Sequence, residues 1–136
     1  MIDDNPSYVT FILPSALARC GVHTARVRFE TLDELTDVLL AQTERTTFER
    51  TSLESKTVSR RRIKLANDIV GNDVIVNITP GGRSRRVFSL VDGIAYVIDC
   101  ETYSIFWERT AAEFDLIIRS FTVGNRLPMR ATCAKH

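Results

Sequence analysis

A chain of 136 residues, 44% hydrophobic and 26% charged, fits one globular domain that buries a core without help from metal or disulfides. A net charge of +1 argues against a general polyanion binder, and the apolar run at residues 8–13 is too short for a signal h-region or a membrane span. Cytoplasmic location without membrane insertion is therefore expected. Three widely spaced cysteines, Cys20, Cys100 and Cys133, with no CxxC pair, predict neither a disulfide nor a zinc site.

In chain order, YVTFIL (8–13) is aromatic and β-branched and stops at Pro14, which predicts a first strand. ARVRF (25–29) alternates, placing Ala25, Val27 and Phe29 inward, and His23 before it reads as an exposed residue in a loop. TLDELTDVLLAQTER (31–45) changes period. Thr31 with Glu34 forms a capping box, and Leu32, Leu35, Val38, Leu39 and Gln42 define one face of an amphipathic helix. From 46 to 100 the pattern is β. FERTSLESKTV alternates loosely and SRRRIKLAN continues it, with Ile63 and Leu65 inward and Arg62 and Lys64 outward.

Gly71-Asn72-Asp73 has turn chemistry. DVIVNIT, a loop PGGRSRR, VFSLV, Asp92-Gly93 and IAYVIDC then make a three-stranded meander, with Asp-Gly as the hairpin turn. A second helix is predicted from a Ser104 cap to about residue 120. Trp107, Ala111, Phe114 and Ile118 form its buried stripe, and Arg109, Thr110 and Glu113 lie off it. FTV (121–123) is a last extended piece before Gly124-Asn125. Residues 1–124 thus form one domain and 125–136 a flexible tail. The fold class is α+β: a mostly antiparallel β-sheet packed by two main helices.

Charge is uneven along the chain. Residues 51–91 hold eight Lys/Arg against three Asp/Glu, whereas residues 1–50 hold five against eight. Arg62 and Lys64 on a strand face, with Arg83, Arg85 and Arg86 in the Gly-Gly loop, are the candidate partner-binding residues. PGGRSRR lacks the GK[ST] ending of a phosphate loop and precedes a strand, so it reads as a hairpin loop. Acid–base candidates are few: Asp99 and Glu101 flank Cys100, and Glu108 and Asp115 fall on the last helix. No catalytic residue, cofactor or metal site is assigned, because none of these has a recognisable base or cluster beside it.

The order of parts resembles the PsbP/Mog-type superfamily. Gly93, Ala95, Tyr96 and Cys100 match its strand, and Trp107, Phe114, Ile118, Ser120, Phe121 and Val123 match its helix and closing strand. The chain departs from that pattern in having Ser15-Ala16-Leu17 where a Trp commonly follows the first proline, and in lacking an export signal. The resemblance implies an α/β/α sandwich and a non-enzymatic assembly factor, chaperone or scaffold that binds a protein partner. The same arginines support an alternative, a nucleic-acid or phosphate-ligand binder. The sequence leaves the oligomeric state open.

Overall fold

The computed structural model describes residues 18–121 in full and residues 7–12 as backbone. The elements are β1 (Ser7–Ile12), β2 (Ala18–Arg26), α1 (Leu32–Thr51), β3 (Glu54–Lys64), β4 (Val70–Thr79), β5 (Gly82–Val91), β6 (Ile94–Tyr103) and α2 (Trp107–Ser120). All six strands join one antiparallel sheet in the order β1-β2-β6-β5-β4-β3. Helix α1 packs on one face and α2 on the other, which is the expected sandwich. The closing strand at 121–123 and the tail at 125–136 lie, beyond Phe121, outside the described residues.

Period two along the strands sorts the core into two layers. Toward α2 point Cys20, Val87, Ile98 and Cys100, closed over by Phe114 and Ile118. Toward α1 point Val74, Val76 and Phe88 in one cluster and Val27 and Ala95 in another, the second containing Leu35 of the helix. Helix α1 starts at the expected Thr31 cap, but the Glu34 carboxylate reaches back to the amide of Glu30, one residue before the cap. Glu34 N donates to Thr31 Oγ1 at 3.1 Å, and Glu34 Oε1 accepts from Glu30 N at 3.2 Å. Its inward stripe is Leu32, Leu35, Thr36, Leu39 and Leu40, whereas Val38 and Gln42 face solvent.

Several sequence expectations are corrected. Residues 46–51 are helical, and α1 stops only where Ser52 adopts φ 62° and donates its amide to Phe48 O. Strand β2 begins at Ala18, so His23 is in a strand; Arg19, Gly21 and His23 gave that stretch the composition of a loop. Gly71-Asn72-Asp73 is inside β4, with Asn72 and Asp73 buried, and the turn lies earlier, at Asn67 and Asp68, both with positive φ. Gly71 serves close packing instead. A Cβ there would stand 3.1 Å from Val87 Cγ1 and 3.2 Å from Phe88 O.

PGGRSRR is not a loop. The turn is Pro80-Gly81, and Gly82 already begins β5, so its arginines are strand residues. Asp92 and Gly93 do form the expected hairpin, with φ 52° and 78°. Ser104 does not cap α2. It belongs to a 3-10 turn, Ser104–Phe106, and α2 has no side-chain cap. Thr110 is fully buried and belongs to the inward stripe, its hydroxyl bonded to the Phe106 carbonyl, which lets a polar residue occupy an apolar position. Trp107 is half-buried and meets Phe114 edge-on at 5.7 Å, so the expected packing role holds.

The expectation of no disulfide is also overturned. Cys20 and Cys100 face each other across β2 and β6, bonded and without exposure, closing a loop over a sequence separation of 80. The odd cysteine count concealed the pair, because cross-strand register cannot be read from spacing. Among the described residues no helix is long and apolar enough to cross a membrane.

Candidate binding site

The five cations expected to form one face are divided between two. Alternation along β5 sends Arg83 and Arg85 toward α2 and Arg86 toward α1, while Arg62 and Lys64 lie on the α1 side of the edge strand β3. Each has an intramolecular role. Arg62 donates to Asn72 Oδ1 at 2.9 Å and to Asp33 of α1 at 2.8 Å. Arg60, two residues before it, reaches Asp37 at 2.6 Å, so the arginine run ties α1 to the sheet. Asp33 also accepts from Asn72 at 3.0 Å, and that bond, ahead of the flanking arginines, holds its carboxyl below the usual range.

Arg85 grips buried Asp73 with two nitrogens, at 3.0 and 2.9 Å, and Asp115 of α2 with the third, at 3.2 Å. Burial opposes its charge, but the two carboxylates outweigh that and raise its pKa. Arg83 lays its guanidinium over the Trp107 ring, 4.8 Å from the centroid. Lys64, largely exposed, has among the described residues only Asp68, at 3.9 Å.

Among the described residues, a concave feature lies elsewhere. Helix α1 leans on β3, β4 and β5, and beside it, over β5, β6 and β2, opens a cavity of about 360 Å³. That volume lies in the range of small-ligand pockets. Leu39 and Thr43 of α1 line one side. The sheet beneath contributes residues in register: Ala25 pairs with Ala95, His23 with Val97, and Arg86 with Asp99. The cavity therefore runs from an apolar end to a polar one. Ala95 and Asp99 are four residues apart on β6, about 13 Å at ~3.3 Å per residue.

At the polar end, Arg86 is 7% exposed and stands 3.7 Å from Asp99, Nε to Oδ1, beyond hydrogen-bond reach. Among the described residues neither atom has a hydrogen-bond partner, and each has less than 1 Å² of accessible surface, although the Asp99 side chain as a whole is 34% exposed. They share that state with Ser55, Asn77, Arg83 and Ser84 atoms, but of these residues only Arg86 and Asp99 line the cavity. Burial pushes the Asp99 carboxyl up, against the pull of Arg86, and burial likewise pushes the His23 imidazole down. Glu101, the other carboxylate flanking Cys100, is held instead by Arg19 at 2.6 Å.

Of the five sequence-predicted contact residues, only Arg86 is in this site. Sequence reasoning missed Leu39, Thr43 and Val97, and passed over His23. One signal was present: Ala95, Val97 and Asp99 share a face by alternation, so a carboxylate was visible on an otherwise apolar stripe.

No family model matches the chain, and no curated protein matches it in sequence. Solved structures do match. The solution structure of cyanobacterial PsbP (CyanoP) from Synechocystis sp. PCC 6803 superposes with a TM-score of 0.64 at 14% identity, covering 85% of this chain and 81% of that one. A protein of unknown function from Pseudomonas aeruginosa, PA94, superposes with a TM-score of 0.58 at 15% identity, covering 88% and 85%. At such identities the likeness speaks for the fold alone.

Proposed function

From the premise of a PsbP-like fold, we propose that the chain is a non-catalytic binding module that receives an apolar group of a protein partner in the cavity beside α1. The observation that carries this reading is the cavity itself, about 360 Å³ and lined by Leu39, Phe88, Ala95 and Val97, with the Arg86–Asp99 ion pair at one end. An apolar side chain seated there would be removed from water, which favours binding. The basic strand face supports the reading less, since its arginines are engaged within the fold. Arg62 and Lys64 at the β3 edge still keep that edge charged against strand addition.

The test compares two variants in capture of a partner from native lysate. Thr43→Trp, at an exposed helix position on the cavity rim, is expected to abolish capture with unchanged melting. Arg62→Glu with Lys64→Glu is expected to retain it. The opposite pattern returns the contact to the basic edge, and capture that vanishes with nuclease identifies a nucleic acid as the partner.

One observation favours a second reading. His23 and Asp99 line the same cavity, and burial shifts both toward their neutral forms, as in acid–base sites. Turnover of a metabolite mixture by the parent and not by Asp99→Asn would establish an enzyme.

A further inference from the structure

Helix α1 is held to the sheet along its first half only. Asp33 accepts from Arg62 at 2.8 Å, Asp37 from Arg60 at 2.6 Å, and Thr36 Oγ1 from Asn72 Nδ2 at 2.9 Å. Leu35 and Thr36 are fully buried, and Leu32, Leu39 and Leu40 pack on the sheet beside them. From Ala41 to Thr51 that pattern stops. Every residue there is exposed except half-buried Thr47, and Phe48 is 52% exposed. Among the described residues Glu44, Arg45, Glu49 and Arg50 form no ion pair. The hydroxyls of Thr43 and Thr51 turn back onto the helix's own carbonyls, those of Leu39 and Thr47.

Tertiary packing supplies most of a helix's stability in a protein, and a helix shorter than about 12–15 residues is marginal in water by itself. The second half of α1 has little packing, and its composition adds little. Thr43, Thr46, Thr47 and Thr51 are β-branched, and each favours the helix less than alanine does. A segment with few buried contacts and solvent-exposed backbone hydrogen bonds opens at a fraction of the global cost. Beyond it the chain is fixed again, since Glu54 pairs with Thr79 across β3 and β4, so the sheet need not open with it.

The division within α1 falls at the cavity. Leu39 of the held half and Thr43 of the loose half line the same side of it. We infer that residues 41–51 are a gate to the cavity, unwinding locally while residues 32–40 stay in place and so removing the Thr43 part of the wall. An occupant that touches Thr43 meets that wall only when the segment is wound, and it therefore favours the wound state by mass action. The gating role rests on the binding reading above; the local unwinding does not.

Amide hydrogen exchange of the intact chain, read residue by residue, tests the inference. Amides of residues 45–50 are expected to be protected about 100-fold less than those of Leu39 and Leu40. Thr46→Ala with Thr47→Ala, both outside the cavity lining, should raise that protection about tenfold through helix propensity alone. Indole, a rigid apolar probe, is then titrated until the Val97 methyl resonances stop moving, and should raise the protection of residues 45–50 about threefold. Equal protection in the two halves overturns the inference, and so does protection that the alanine pair leaves unmoved. Low protection that saturating indole does not raise means a loose segment that gates nothing, which overturns the gating role. Val97 resonances that ignore indole count against the cavity as a site and so against the gate, while exchange in the free chain still decides the unwinding by itself.

Discussion

The two faces of the sheet solve the same burial problem with different completeness. On the α2 side, Phe114 and Ile118 seal a layer that includes the Cys20–Cys100 bond, and the buried charge of Asp73 is met by Arg61 and Arg85. On the α1 side the helix covers β3 to β5 closely, then leaves a cavity over β6 and β2 in which Arg86 and Asp99 stop short of each other. A finished face reads as scaffold. Unpaired polar atoms occur on both faces, Asn77 Oδ1 and Arg83 Nε among them on the α2 side, so it is the cavity on the α1 side that sets the two apart, and there that we place the ligand.

The contrast breaks first at the α2 core. Phe114 is fully buried, so Phe114→Ala is expected to cost about 3–5 kcal/mol, read by chemical denaturation. Asp73→Ala is expected to cost about 3 kcal/mol, because it strands the Arg85 guanidinium in a site where only Asp115 remains to pair it. A loss below about 1 kcal/mol in both would mean that the α2 face is no better packed than the other.

A smaller effect sharpens the α1 side. The folded-state pKa of Asp99 is raised by burial, so the folded chain holds its proton to higher pH than the unfolded one. Its contribution to stability is therefore most favourable below the unfolded value near 3.8 and declines as pH rises through the raised value. Asp99→Asn removes that decline. The variant should match the parent at pH 3 and exceed it in melting temperature at neutral pH. The smallest effect belongs to the edge: Lys64→Ala, exposed and loosely paired, should stay within about 0.5 kcal/mol.

Much of the fold was legible in sequence because it is written in local periods. The Thr31–Glu34 cap, the Asp92-Gly93 turn and the Phe114–Ile118 stripe each depend on residues within a few positions of one another. The errors fall where a long-range partner overrides local chemistry. Asn72 and Asp73 look like turn residues until Arg62, Arg85 and Thr36 satisfy them inside β4. His23 looks like a loop residue until β6 pairs alongside it. The arginines look like a surface patch until Asp33, Asp37 and Asp73 neutralise them.

The site was the least legible part. It depends on strand order, which brings β2 beside β6 across the whole meander, and on how far α1 extends over the sheet. Neither leaves a trace in the spacing of residues. Only Asp99 on its apolar stripe pointed toward it.

The most direct test of the account maps the partner onto the two faces. Methyl-labelled chain is titrated with the captured partner, and shifts are followed at Leu39 and Val97 on the α1 side and at Val87 and Ile118 on the α2 side. The account predicts large shifts at Leu39 and Val97, with Val87 and Ile118 unmoved. Shifts centred on the α2 side, or confined to the β3 edge around Ile63, would contradict it.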